Sequence, residues 1–258
     1  MKKNIFKKFV RKIFPDKFIE KIKRILYLKS LLDPLEKRIC PICNYHGNFQ
    51  WFGTPGNVVR IDAQCPKCLS LERHRFIYLL FSNNKFFEKI KKFPNTLHFA
   101  PEKQLRKIIS SFSKSYSTAD LLDRQADMLL DIQETKLKSG YYDLLIVNHV
   151  FEHVPDDRKS FSEISRILSE GGFLITSVPL IDSWEKTYEK ETTNIKINKK
   201  LHFGQYDHIR YYGSDFIERI ESSSNLKLKE IFTAEGDDVI KYGLDRGEKI
   251  FVFQKISK

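Results

Sequence analysis

Two Cys-Pro-x-Cys tetrads, Cys40-Pro41-Ile42-Cys43 and Cys65-Pro66-Lys67-Cys68, are separated by 21 residues and hold all 4 cysteines of the chain. A two-residue gap lets both thiolates of a tetrad reach one ion, and two tetrads complete a tetrahedral Zn2+ shell. The proline in each tetrad fixes φ in the tight turn. Between the tetrads, Phe49-Gln50-Trp51-Phe52 and Val58-Val59-Arg60-Ile61 read as short strands around a Thr54-Pro55-Gly56-Asn57 turn, so residues 39–70 are expected to form a zinc ribbon. Four sulfur ligands leave no position for water or substrate. The ion expected on Cys40, Cys43, Cys65 and Cys68 is therefore structural, and its loss is expected to spare the rest of the chain. His46 and His74 lie near the tetrads and read as bystanders. Clustered cysteines of this kind belong to a metal site in a reducing cytoplasm rather than to a secreted disulfide framework.

Charge is distributed unevenly. Residues 1–38 carry 13 Lys/Arg against 4 Asp/Glu and supply +9 of a net +12. Within this arm Phe6, Phe9, Val10, Ile13 and Phe14 recur at helical spacing, Pro15 interrupts, and Phe18, Ile19, Ile22, Ile25 and Leu26 resume the pattern among lysines and arginines. One reading docks residues 1–30 on an anionic membrane surface, where each basic side chain contributes about 1 kcal/mol. The other packs the apolar stripe on the body of the protein. No uncharged apolar run reaches the roughly 18 residues of a membrane span, so the expected location is the cytoplasm, with peripheral contact at the inner face of the membrane under the first reading. Because most of the positive charge sits in an arm, it argues less strongly for a nucleic-acid cleft than the total suggests.

From about residue 70 the periodicity changes to that of a helix (69–81), and then strands alternate with helices. Strands are expected at Thr96–Ala100, Ser115–Ala119, Tyr142–Asn148, Gly172–Val178, Leu226–Thr233 and Lys249–Gln254, with helices near 102–112, 156–169 and 213–223. The 156–169 helix should be capped by Asp156, bury Phe161, Ile164, Ile167 and Leu168, and end at Gly171-Gly172. Alternation of this kind gives an α/β fold with a Rossmann-like, mostly parallel, seven-stranded sheet. The expected organisation is a basic helical arm (1–38), the ribbon (39–70), a connecting helix (71–92) and the α/β domain (93–258) with an insert at about 182–206.

An open parallel sheet binds ligands beyond the carboxyl ends of its strands. The segments there are Ala100-Pro101-Glu102, Asp120, Asp131-Ile132 and Asn148-His149-Val150-Phe151-Glu152-His153. Asp120 is placed to accept both hydroxyls of a nucleoside ribose, or else to cap the following turn. Asp131 and Ile132 are placed to face the base.

The stretches Leu97–Glu102, Thr118–Leu121, Tyr142–His153 and Arg166–Gly172, in that order, resemble the class I S-adenosylmethionine-dependent methyltransferases of the type 11-like group over roughly residues 93–255. The resemblance implies S-adenosylmethionine as cofactor, held by Ala100, Pro101, Glu102, Asp120, Asp131, Ile132, Asn148 and His149. It also implies an acidic residue and several glycines after the first strand, where this chain has His98, Ala100 and Glu102 instead. Glu102 is expected to bond the methionine amino group or a ribose hydroxyl. Methyl transfer is an in-line displacement that needs a positioned nucleophile and, for a hydroxyl, a base. His208, His149 and His153 are the candidate bases, and Tyr206, Asp207, Arg210 and Tyr211, after the insert, are the candidate acceptor contacts. The expected activity is O- or N-methylation of a small molecule or of a glycan or glycolipid precursor. RNA methylation and a non-catalytic binding module that keeps the cofactor fold are the alternatives.

Overall fold

The computed structural model describes residues 37–53, 60–83, 93–189, 202–203 and 207–257. The basic helices expected before residue 37, the 54–57 turn, Val58-Val59, Tyr206 and much of the 182–206 insert lie outside the described residues.

The N-terminal part is a pair of hairpins. Strand β1 (Arg38–Cys40) pairs antiparallel with β2 (Tyr45–Gly47), and β3 (Gln50–Phe52) pairs antiparallel with β4 (Arg60–Gln64). Helix α1 (Glu72–Asn83) follows. The remaining elements are β5 (Phe93–Phe99), α2 (Arg106–Ser111), β6 (Ser113–Asp120), β7 (Met128–Leu129), β8 (Tyr142–Asn148), α3 (Asp157–Ile167), β9 (Leu168–Ser177), β10 (Tyr188–Glu189), β11 (Arg210–Tyr211), α4 (Phe216–Ser223), β12 (Leu226–Thr233), α5 (Asp237–Tyr242) and β13 (Lys249–Lys255).

Seven strands form one sheet in the order β7-β6-β5-β8-β9-β13-β12. Only β13 runs against its neighbours, pairing antiparallel with both β9 and β12. Chain order reverses between β5 and β8, which creates the crevice where a parallel sheet binds its ligand.

The uninterrupted apolar run of β8 explains its central place, because a strand covered on both faces has no polar side. Leu145 and Val147 point into a core with Leu97, Phe99, Leu174, Phe251, Phe161, Ile164, Phe216 and Ile220. Leu144 and Ile146 point the other way, to Ile77, Leu80, Phe81, Leu105, Ile109, Ile175 and Val252. Helix α1 thus belongs to the second core layer, beside α2, rather than being a plain connector.

Helix α3 starts where Asp156 caps it, its carboxylate accepting from the Lys159 amide at 2.9 Å. It ends earlier than its glycines suggest. Leu168 is already extended (φ −68°, ψ 139°), and Gly171-Gly172 lie inside β9 rather than at a helix terminus. There the register slips, so that Leu168–Phe173 spans what Tyr142–Leu144 spans on β8. Gly171 has φ +74°, and a Cβ on Gly172 would stand 2.9 Å from the Ser169 carbonyl oxygen, so both residues serve a bulge. The helix expected at 102–112 is shortened to Arg106–Ser111 because residues 103–105 form a turn.

Helix α3 is tied to the segment after β7 by Glu163, which accepts from the Thr135 amide at 2.8 Å, from the Thr135 hydroxyl at 2.6 Å and from Arg166 Nε at 2.7 Å. The Arg166 hydrogen bond, helped by Thr135, outweighs burial and holds the Glu163 carboxyl down at about 2. A depressed carboxyl contributes stability that is complete above its unfolded value of about 4.5 and is lost as pH falls toward 2. Allowing for solvent screening, wild type should lose about 2 kcal/mol more than Glu163→Gln between pH 4.5 and pH 2. Denaturant unfolding at a series of pH values measures this, and parallel curves for the two proteins would show that the contact contributes nothing.

Candidate active site

The four ribbon sulfurs converge. One Sγ from each of Cys40, Cys43, Cys65 and Cys68 lies within 4.8 Å of the others, with Cys40–Cys68 at 3.5 Å and Cys43–Cys65 at 3.6 Å. A disulfide needs about 2.05 Å, whereas 2.3 Å Zn–S bonds place tetrahedral sulfurs about 3.8 Å apart. The donor set therefore fits Zn2+. Burial pushes the Cys43 and Cys65 thiols up, while at Cys68 hydrogen bonding with Ser70 outweighs burial and lowers it.

The ribbon is fastened to the sheet by Arg75 on α1, which is fully buried. Its guanidinium donates to the carbonyls of Ser70 at 2.7 Å, Ala63 at 2.9 Å and Tyr242 at 2.7 Å, and also to that of Gly243. It also lies 4.4 Å from the centre of the Phe49 ring. One side chain thus joins Phe49 between the hairpins, β4, the loop before α1 and the end of α5. Its neighbour His74, read from sequence as a bystander, is buried, accepts from the Leu71 amide at 3.2 Å and leaves Nε2 without a partner. Burial, then the charge of Arg73, lowers its pKa to about 4, and the charges of Glu102 and His149 also act on it, so it stands beside the strand-end residues. His46, on β2, is exposed.

At the end of β5 the chain turns through Ala100 at φ +46°, a left-handed conformation where the resembled family uses glycine. Glu102 turns inward and not toward the cleft: its Oε2 meets His98 Nε2 at 2.7 Å, and His98 Nδ1 meets the Tyr116 hydroxyl at 2.9 Å. Burial alone would raise the Glu102 carboxyl, but His98 outweighs it and holds it down. Glu102 thus anchors the turn after β5 to β5 itself through His98.

Asp120 caps the turn that follows β6. Its Oδ1 accepts from the amides of Leu122 at 2.7 Å and Asp123 at 2.8 Å, and its Oδ2 takes no hydrogen bond from any described residue. Exposed Leu121, Leu122 and Leu129 surround it, and Asp127, accepting from the Thr118 amide and hydroxyl at 2.8 Å, closes the loop. Asp131 follows β7 on the same edge and bonds Gln133, whereas Ile132 is buried in the core.

Beyond β8 the side chains gather more densely. Asn148 is buried, with Oδ1 3.3 Å from the Ser177 hydroxyl and Nδ2 unpartnered. His149 (φ +51°) places Nδ1 3.2 Å from Glu152 Oε1 and Nε2 3.8 Å from Glu248 Oε1. Burial would lower the His149 pKa, but the two carboxylates win and raise it to about 9. Glu152 is fully buried, with Oε2 unpartnered. His153 Nδ1 lies 3.3 Å from the Asp207 carbonyl oxygen and 3.6 Å from its carboxylate, and its ring packs edge-on at 4.8 Å to the ring of buried His208. Burial first, with further charges around it, lowers the His208 pKa.

The structure thus brings His149, His153, Asp207 and His208 together and adds Glu152, Glu248 and His74, which the sequence did not single out. Two expected acceptor contacts point elsewhere. Arg210 is buried and donates to the carbonyls of Phe151 and Val154, both at 2.6 Å, and of Pro155 at 3.0 Å, with Glu189 at 3.1 Å. It fixes the loop that carries Glu152 and His153, with four of its five N–H donors on these acceptors. The Tyr211 hydroxyl donates to the Phe203 carbonyl at 2.6 Å.

The strand order 3-2-1-4-5-7-6 with the seventh strand reversed is that of the class I methyltransferases. Residues 108–176 match the family described as "Methyltransferase domain". Among solved structures it is similar to the N-methyltransferase NodS from Bradyrhizobium japonicum WM9 in complex with S-adenosyl-L-homocysteine (15% identity, 72% of this chain and 87% of that one, TM-score 0.46). It is also similar to an S-adenosylmethionine-dependent methyltransferase from Mesorhizobium loti (11% identity, 64% and 92%, TM-score 0.46). No curated protein matches the chain in sequence.

The sulfur geometry predicts that the four cysteines of the native protein resist a thiol-reactive dye until a strong chelator is added. In Cys65→Ser the remaining three should react at once, at a rate at least tenfold above that of the native thiols. Equal protection in the variant, or immediate labelling of the native protein, would rule out the tetrathiolate.

Proposed function

We propose that the chain transfers the methyl group of S-adenosylmethionine to an oxygen or nitrogen of a small molecule or a glycan or glycolipid precursor, with a structural zinc in its ribbon. The observation that carries this reading is the buried histidine–carboxylate cluster at the end of β8, beside Asn148 and across the strand-order reversal from Asp120. When bound, the cofactor supplies an electrophilic methyl on a sulfonium. Asp120 Oδ2 accepts from a ribose hydroxyl while Oδ1 keeps the loop in place, and Leu121, Leu122 and Leu129 offer an apolar rim to the base. Asn148 at the end of β8 keeps an unpartnered buried amide that a cofactor group would satisfy.

His149, held charged between Glu152 and Glu248, is unsuited to take a proton at neutral pH. His208, whose charged form burial disfavours, is the better base for an acceptor hydroxyl. His153 and Asp207 stand beside it at the mouth of the site.

The preference for a small or glycan acceptor over RNA rests on charge: residues outside the 1–38 arm contribute only +3 of the net +12. Residues 1–30 also suit contact with an anionic membrane surface, a proposal that rests on their sequence alone.

Calorimetry with S-adenosylhomocysteine should give 1:1 binding that weakens at least tenfold in Asp120→Ala, the loss expected when a ribose loses its carboxylate. Label from radioactive S-adenosylmethionine should reach nucleotide sugars or glycolipids in an acceptor panel. Labelled RNA with unlabelled glycans would shift the acceptor class, and absence of cofactor binding by the folded protein would overturn the enzymatic reading.

A further inference from the structure

Glu152, His153 and His208 each bring one ligand atom within 4.8 Å of the other two. They come from different pieces of chain: the loop after β8 supplies the first two, and the segment before β11 supplies the third. The two pieces are joined by a 3.0 Å hydrogen bond from the Ile209 amide to the Glu152 carbonyl and by Arg210, which holds the carbonyls on either side of the Glu152-His153 pair. The convergence is therefore built by the backbone and does not depend on long surface side chains meeting.

Two of the three groups are buried with atoms that nothing in the protein satisfies. Glu152 is fully buried with Oε2 unpartnered, and His208 is 5% exposed with Nδ1 unpartnered. A buried carboxylate oxygen and a buried imidazole nitrogen without partners are costly unless a ligand completes them. The surroundings also orient the same groups from behind. His149 Nδ1 holds the other carboxylate oxygen of Glu152 at 3.2 Å, and Glu248 stands behind His149 at 3.8 Å. The Asp207 carbonyl, 3.3 Å from His153 Nδ1, favours the tautomer whose Nε2 lone pair is available.

We propose that Glu152, His153 and His208 bind a second divalent transition-metal ion, of the zinc or iron(II) class, at the acceptor end of the cleft. Two imidazoles and one carboxylate are a donor set for such ions, and three protein ligands leave positions open. Bonds of about 2.1 Å require ligand atoms about 3 to 3.5 Å apart, so side-chain torsions must draw this set in by about 1 Å. The site differs from the ribbon in kind, since four thiolates close a coordination shell while this one keeps room for an acceptor oxygen.

The role assigned to the ion rests on the methyl-transfer reading. An acceptor hydroxyl coordinates through oxygen, the ion makes its proton more acidic, and that proton leaves to solvent. The oxygen then forms the new C–O bond as the S–CH3 bond breaks, with the bonding pair returning to sulfur. In this arrangement His208 serves as a ligand, so ion binding and use of His208 as a free base are mutually exclusive.

Full-length protein that retains its ribbon zinc is titrated with Co2+, followed by metal content after gel filtration and by visible absorption. One further equivalent should bind with micromolar affinity and show nitrogen/oxygen-type ligand-field bands without thiolate charge transfer. His208→Gln should weaken this binding at least 30-fold while ribbon metal and S-adenosylhomocysteine affinity stay unchanged, and a weak chelator that leaves the ribbon loaded should abolish methyl transfer. Absence of a second equivalent in the native protein overturns the proposal without recourse to any variant, as does binding that His208→Gln leaves intact. Co2+ binding without S-adenosylhomocysteine binding would keep the metal site and reject the methyltransferase reading. The opposite pattern would reject the metal site alone.

Discussion

A buried guanidinium ties the ribbon to the sheet domain of this protein. Arg75 is buried without a carboxylate hydrogen-bonded to it, and four backbone carbonyls from three pieces of chain share its charge. Burial lowers its pKa against the raising effect of Glu72, so the carbonyls and the Phe49 ring must supply the solvation that water would otherwise give. Removing such a group leaves its acceptors unpaired as well, and a buried charged partner of this kind is worth about 3–5 kcal/mol when broken. The ribbon is consequently part of the body of the protein. Gln104, in the turn after β5, reaches the carbonyl of Cys68 at 3.4 Å, so the second cysteine tetrad also touches the strand end where a cofactor is expected. The four-thiol ribbon thus forms one wall beside the turn that follows β5.

The opposite wall is built on the same device. Arg210 gives the loop after β8 what Arg75 gives the ribbon: a planar set of donors on successive carbonyls that would otherwise need water. Asp157 extends this wall, pairing with Arg219 at 2.9 Å and with the Tyr212 hydroxyl at 3.0 Å to lock α3 against α4. Between the two walls lie groups whose protonation is set by their neighbours. His149 is charged between two carboxylates, His208 and His74 are kept neutral by burial, and Glu102 and Glu152 are ionised next to histidines. Such divergence among adjacent groups is the usual mark of a reacting site.

Much of the sheet was legible in advance. The apolar run Leu144–Val147 marks a strand covered on both faces, and Asp156 ahead of a helical stripe marks a cap. The cysteine tetrads were legible for the same reason: spacing alone dictates which atoms meet. What sequence could not show was direction. Gly171-Gly172 fits a helix end as well as a bulge until the register with β8 is known. Glu102 and Arg210 read as ligand contacts because charged residues near strand ends often are, and only the fold reveals their internal partners, His98 for one and three carbonyls for the other. His74 was passed over because its nearest notable neighbours in sequence are cysteines, while its neighbours in space are Glu102 and His149. The signal available was its place two residues into a helix whose arginine is buried.

Amide hydrogen exchange, compared between metal-loaded and metal-stripped protein, tests this coupling most directly. Stripping should accelerate exchange in the ribbon hairpins and equally in α1 and α5, whose carbonyls at Tyr242 and Gly243 share Arg75 with Ala63 and Ser70. Acceleration confined to residues 37–70, with α1 and α5 as protected as before, would contradict the account and return the ribbon to the status of an appended module.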